Sequence, residues 1–147
     1  MIRLATAADA GGITQLVNDA YAIYVGRNGK VPGPMRDDYH ALIGDGHVHV
    51  IEQNGEIRGL LVLVPEPDVM LLDNIAVSPH AQRRGFGKIL MQFAEDQTRA
   101  LGLKAIRLYT QDIMVENIAL YQRLGYVQTH RGEEIGLTRV FMTKVIP

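Results

Sequence analysis

Apolar residues along the chain follow two periods. Ile13, Leu16, Val17, Ala20 and Tyr21 recur at helical spacing behind Thr6 and Asp9, either of which can cap the helix they predict. The Gly29–Pro34 stretch then breaks regular structure, and Tyr39, Leu42 and Ile43 mark a second short helix. Helical spacing returns at Phe86, Ile89, Leu90, Phe93, Ala94, Ala100 and Leu101, stopped by Gly102, and again from Val115 to Leu124, stopped by Gly125. Between these lie shorter runs with strand character: Ile2 to Leu4, His47 to Gln53, Glu56 to Val64, Val69 to Val77, Ala105 to Thr110, and a closing hairpin of Tyr126 to Arg131 with Leu137 to Ile146. Asn54-Gly55 joins the second and third as a two-residue turn suited to positive φ. The order is β-α-α-β-β-β-α-β-α-β-β. Three consecutive strands in the middle predict an α/β fold with a mixed sheet, antiparallel in part, and not a doubly wound parallel one.

Length agrees with one such unit. A chain of 147 residues buries roughly 70% of its unfolded surface as one domain, so residues 1–147 are expected to form a single domain. An apolar fraction of 47% beside 21% charged residues excludes disorder, coiled coil and collagen. Fifteen basic against sixteen acidic side chains leave a net charge of -1, with no global field for nucleic acid or anionic lipid. The longest apolar run, Leu60 to Val64, stops at Pro65, so a cytoplasmic location is the expectation. The absence of cysteine removes thiol nucleophiles, disulfides and zinc-thiolate sites. His47 and His49 share a strand face without an evident third ligand, so no metal is expected.

Chemistry concentrates at one junction. Ile75-Ala76-Val77-Ser78-Pro79 ends a strand, and Gln82-Arg83-Arg84-Gly85-Phe86-Gly87-Lys88 opens the next helix. A helix start offers unpaired N–H groups and partial positive charge, glycines let an anion approach the backbone, and Arg83, Arg84 and Lys88 add charge. The structural alternative is a plain helix N-terminus with a solvated basic patch. A P-loop would need glycine at Gln82 and Ser or Thr at Ile89, and a dinucleotide fingerprint would need a small residue at Leu90, so both fit poorly.

Gln82-x-x-Gly85-x-Gly87 after a strand ending Ala76-Val77-Ser78-Pro79 resembles the pyrophosphate loop of the GCN5-related N-acetyltransferases (GNAT), and the resemblance extends over the whole element order. Leu120-Tyr121-Gln122-Arg123-Leu124-Gly125-Tyr126 resembles that family's second signature. The resemblance implies an acyl-CoA N-acyltransferase fold, a mixed antiparallel and parallel sheet with helices on both faces. It implies acetyl-CoA as co-substrate, held by the backbone of Ile75, Ala76 and Val77 and by the loop residues Gln82, Arg83, Arg84, Gly85, Phe86, Gly87 and Lys88. Tyr121 matches the tyrosine that faces the thioester sulfur and protonates the thiolate; read structurally, it is a helix residue with a buried ring and a wet hydroxyl. Asn117 stands four before that tyrosine, where the family often has alanine, and Met114 stands seven before, where it often has asparagine. Asn117 is thus a cofactor contact from a shifted height, or a packing residue.

The implied reaction is direct transfer of acetyl to a primary amine in a ternary complex, which the lack of cysteine suits. Glu133, with Glu134 and Asp73, is a candidate base for the amine's proton; each also reads as an ordinary surface carboxylate. Asp73 and Asn74 interrupt an apolar strand and suggest a bulge or a polar group at the site. The acceptor pocket is expected between Tyr24 and Tyr39 and at the last hairpin. The expected partner is a small-molecule or peptide amine, with a homodimer common in such folds. An acyl-CoA sensor without turnover, or an acyltransferase for a longer acyl donor, would carry the same loop.

Overall fold

The computed structural model describes residues 2–134 and 136–147. Seven strands, β1 (Ile2–Leu4), β2 (Val48–Gln53), β3 (Glu56–Pro65), β4 (Met70–Val77), β5 (Ala105–Gln111), β6 (Val127–Glu134) and β7 (Leu137–Val145), form one sheet in the order β1-β2-β3-β4-β5-β7-β6. Four helices, α1 (Ala10–Asn28), α2 (Tyr39–Gly44), α3 (Phe86–Ala100) and α4 (Val115–Arg123), complete the expected element order. Every neighbouring pair of strands is antiparallel except β4 and β5, which α3 connects and which run parallel. Asn54 and Gly55 take φ of 54° and 76°, the positive values that a tight β2–β3 turn demands.

Alternation along the strands divides the core between two faces. Leu61 and Leu63 of β3 pack with Leu90, Met91 and Ala94 of α3, while Leu60 and Val62 pack with Ile13 and Val17 of α1. In β4 the alternation slips. Val62 pairs with Asn74 but Leu63 pairs with Leu72, so Asp73 is an extra residue opposite β3. Leu72 therefore packs in the α3-side core, and Ala76, also at an even position, packs in the α1-side core. The bulge expected at Asp73-Asn74 is present and turns the rest of β4 over.

Most strand ends fall within a residue of the sequence reading, and two of the differences bear on the site. β5 continues to Gln111, and β6 continues to Glu134, because both keep pairing with β7. The break after α1 contains a 3-10 turn at Gly33–Arg36, after which the Asp38 carboxylate accepts the Ala41 amide at 3.2 Å and caps α2. Among the described residues no helix is long and apolar enough to cross a membrane.

At Gly59 a side chain of α3 packs directly onto the β3 backbone. A Cβ there would stand 3.0 Å from the Ala76 carbonyl oxygen and 3.1 Å from Leu90 Cδ1. Gly59→Val is expected to lower stability by about 1–3 kcal/mol through overpacking, read as a lower urea midpoint at unchanged m-value.

Candidate active site

β4 and β5 pair only at Met70↔Ile106 and Leu71↔Arg107 among the described residues. Beyond the Asp73 bulge, β4 stays with β3 as far as Val77 and β5 stays with β7 as far as Gln111, so the two parallel strands part. Two cavities open along this split, and Ile75, Asn117 and Tyr121 line both.

The larger, about 820 Å³, is a groove between the β4 end with the first turn of α3 and α1 with α4. Gly85 caps α3 at φ 83° with no side-chain cap bond, and Arg83 is also left-handed at φ 66°. The first-turn amides are therefore open to a ligand, the arrangement that binds phosphate groups. On the far wall Arg27 of α1 pairs with Glu116 of α4 and donates from Nη1 to the Ile113 carbonyl at 3.0 Å. That pair ties the end of α1 to the start of α4; it draws the Glu116 carboxyl down to about 2.

The smaller cavity, about 280 Å³, is enclosed by β4, β5, the start of β7 and the 31–37 loop. A buried hydrogen-bond chain joins these parts. The Tyr21 hydroxyl donates to Asn74 Oδ1 at 2.7 Å, Asn74 Nδ2 donates to the Tyr39 hydroxyl at 3.1 Å, and Tyr39 donates to the Pro34 carbonyl at 2.6 Å. Asn74, next to the bulge, thus joins α1 to the first residue of α2 and through it to the loop, and its amide oxygen and nitrogen each find a partner. Lys30 Nζ donates to the Gly136 carbonyl, joining the segment before this loop to the β6–β7 turn.

Among the described residues two carboxyl groups line this cavity, Asp37 and Asp73. Asp73 is half-buried and burial raises its pKa, against a hydrogen bond from Tyr109 and the charges of Arg107, Arg139 and His47. Asp37, exposed overall but with its carboxyl partly shielded, is raised first by that shielding and then by the Asp73 charge. Tyr121, at 5% exposure, has its phenol raised well above the ordinary value of 10 by burial. Its ring sits 5.9 Å from that of Tyr126, and its hydroxyl makes no hydrogen bond with another described residue. A phenol so placed is a neutral O–H donor at the meeting point of the two cavities.

The expected residues distribute unevenly. Ile75, Ala76, Val77, Gln82, Arg83, Gly85, Phe86 and Gly87 line the groove together with Asn117 and Tyr121. Arg84 and Lys88 are exposed and line neither cavity, because the turn that presents the first amides of α3 leaves those side chains outside. Glu133, the candidate base, is exposed on the edge strand β6, pairs with Thr138 and lines neither cavity; the strand extends past it instead of looping toward the site. The side chain of Glu134 lies outside the described part. Asp73, the third carboxylate considered, lines the smaller cavity. His49 packs its ring 4.9 Å from Phe93, and the described residues contain no group of three or more His, Asp or Glu that would hold a metal.

The sequence reading missed Gln111 and Arg139, which pair across β5 and β7 at the smaller cavity, and the Arg27–Glu116 bridge over the groove. Only the strand register and the helix packing bring these residues together, and no local spacing signals either.

Residues 13–126 match a family model described as the acetyltransferase (GNAT) family. The chain is 29% identical over 94 residues to the uncharacterized N-acetyltransferase YvbK of Bacillus subtilis, covering 63% of this chain and 61% of that protein. It is 29% identical over 120 residues to the uncharacterized N-acetyltransferase YjgM of Escherichia coli, covering 78% and 72%. It is also 32% identical over 76 residues to the ribosomal protein bS18-alanine N-acetyltransferase of Escherichia coli, covering 52% and 51%. The matches therefore span about half to three quarters of these relatives' lengths. Among solved structures, the ribosomal-protein-S18-alanine N-acetyltransferase of Escherichia coli superposes with a TM-score of 0.81 at 20% identity, over 99% of this chain and 93% of that one. The PaiA N-acetyltransferase of Thermoplasma acidophilum, in complex with coenzyme A, gives a TM-score of 0.81 at 14% identity, over 99% and 98%. At such identities the likeness is one of fold.

Proposed function

The chain belongs to the acetyltransferase (GNAT) family, and from that membership we propose that it is an acetyl-CoA-dependent N-acetyltransferase acting on a primary amine by direct attack in a ternary complex. The observation that carries this reading is the meeting of two cavities at Ile75, Asn117 and Tyr121 where β4 and β5 part. One cavity has the open helix start that suits a pyrophosphate, the other has the carboxylates that suit an amine, and a reacting centre belongs where they join. Residues 1–147 act in this reading as one catalytic domain.

Acetyl-CoA supplies the acetyl group as an activated thioester. The first-turn amides of α3, with Gln82 and Arg83 beside them, hold its phosphates. Backbone amides of β4 between Asn74 and Val77, freed from strand pairing with β5, receive the pantetheine arm and polarise the thioester carbonyl. Tyr121 donates its proton to the leaving thiolate, and Asn117 borders the same junction. Asp73, whose raised pKa makes it a better proton acceptor than an exposed aspartate, takes the amine's proton directly or through one water.

Acetyl-CoA at about a hundred times its Kd is expected to stabilise the protein by about 2.7 kcal/mol, a Tm rise of several degrees in a thermal melt. Thiol release from acetyl-CoA over a panel of amines is the companion assay. A melt that acetyl-CoA leaves unmoved would overturn the cofactor assignment, and binding without thiol release from any amine would leave an acyl-CoA sensor.

A further inference from the structure

Gln111 is 8% exposed, lines the smaller cavity, and its side-chain amide makes no hydrogen bond with another described residue. Its amide is not among the buried unpaired polar groups of the described residues, so it faces the cavity, where water or a ligand meets it. Gln111 pairs with Arg139 across β5 and β7, so the two side chains leave the same face of the sheet. Tyr109, two residues earlier on that face, carries the Arg139 guanidinium 4.6 Å above its ring. This half of the cavity offers amide and guanidinium N–H donors side by side, the donor set that a carboxylate takes.

The other half is acidic. Asp73 comes from the β4 bulge and Asp37 from the end of the 31–37 loop. Asp73 feels the charge of Arg139, so the acidic and basic halves lie near each other. Among the described residues Arg36 completes the charged lining, two aspartates beside two arginines. A polyamine would bring further positive charge beside Arg36 and Arg139, and a simple alkylamine would leave Gln111 unmet. At about 280 Å³ the space suits a small molecule better than a folded polypeptide segment.

We propose that the acceptor is a free amino acid or similarly small amino carboxylate, its ammonium held by Asp73 and Asp37 and its carboxylate by Gln111 and Arg139. This rests on reading the smaller cavity as the acceptor side of an acetyltransferase. The ammonium first gives one proton to Asp73; the freed amine nitrogen then bonds to the acetyl carbon as the carbon–sulfur bond breaks, the thiolate takes the Tyr121 proton, and the second nitrogen proton passes through solvent to restore the tyrosine.

The test is thiol release from acetyl-CoA with matched acceptors: a series of free amino acids, the amines left by removing their carboxylates, their methyl esters, and a peptide with a free N-terminal alanine. The expected result is a kcat/KM for at least one free amino acid that exceeds its decarboxylated and esterified partners by on the order of tenfold or more. Gln111→Leu is expected to erase that preference; Gln111→Glu, which keeps length and polarity should the leucine variant fold poorly, is expected to reverse it by setting carboxylate against carboxylate. Equal or faster turnover of the decarboxylated amines, the esters or the peptide would overturn the proposal, as would an undiminished preference in both variants. If no amine releases thiol, the Tm in the presence of coenzyme A separates the two readings. A rise with a free amino acid but not with its amine would uphold the cavity's specificity while the transferase reading falls, and no rise with either would overturn both.

Discussion

Tyr121→Phe is expected to lower kcat by about 10²- to 10⁴-fold, the range for loss of a positioned acid, while leaving the fold and the acetyl-CoA thermal shift intact. The expectation comes from how the side chain is held. Its ring is buried against Tyr126 at a centroid distance of 5.9 Å, and phenylalanine fills the same space. Its hydroxyl has no bond with another described residue, so removing it orphans no described partner. Burial raises the phenol above its ordinary value of 10, so the proton is retained through neutral pH and beyond it. An alkaline fall in kcat tied to this residue should therefore lie above the ordinary tyrosine range. Tyr126→Phe is the matched control: the Tyr126 hydroxyl is buried without a hydrogen-bond partner among the described residues, and Tyr126 lines neither cavity. That variant should turn over normally and melt no lower. Full turnover in Tyr121→Phe would remove the tyrosine from the chemistry.

What the sequence revealed and what it concealed divide along the range of the forces involved. The β2–β3 hairpin was legible because Asn54-Gly55 and the flanking alternation act over a few residues. The amphipathic period of α3 and its glycine stop were legible for the same reason. The groove residues from Ile75 to Gly87 were legible because one strand, one turn and one helix start carry them consecutively. Asp73 and Asn74 stood out as polar positions in an apolar strand; the bulge raised as one possibility is present at Asp73, and Asn74 is buried with its amide oxygen and nitrogen each hydrogen-bonded. Partners of Asn74 were not legible: Tyr21 lies 53 residues away and meets it only after α1 packs on the sheet. Gln111 was hidden by a strand boundary set one residue short, which assigned it to a loop. Glu133 was misplaced by the same kind of error, because a hairpin strand thought to end at Arg131 continues through it and turns its side chain to solvent.

Asp73→Asn is expected to separate stability from activity in opposite directions. Burial raises the Asp73 pKa above its ordinary value of 3.8, so between that value and the raised one the folded state binds more protons than the unfolded chain. Stability contributed by this group then falls as pH rises through that window, and at neutral pH the buried carboxylate is a net burden on the fold. Asparagine keeps the shape and the ability to accept from Tyr109, and carries no charge. The variant should therefore melt higher than the parent at neutral pH, with the difference vanishing below the ordinary carboxylate range, where both side chains are neutral. Turnover should move the other way, falling by about 10²-fold or more with loss of the base. The parent's kcat/KM should decline on the acid side as Asp73 takes up its proton, and that limb should disappear in the variant. Around this carboxylate stand Arg107, Arg139, His47 and Tyr109, all of which favour its charged form, and Asp37, Tyr21 and Tyr39, whose own pKa values its charge raises. A purely structural carboxylate would give the melting behaviour without the kinetic limb. A variant that melts higher yet keeps both rate and acid limb would place the base elsewhere, and one that melts lower would contradict the burial argument itself.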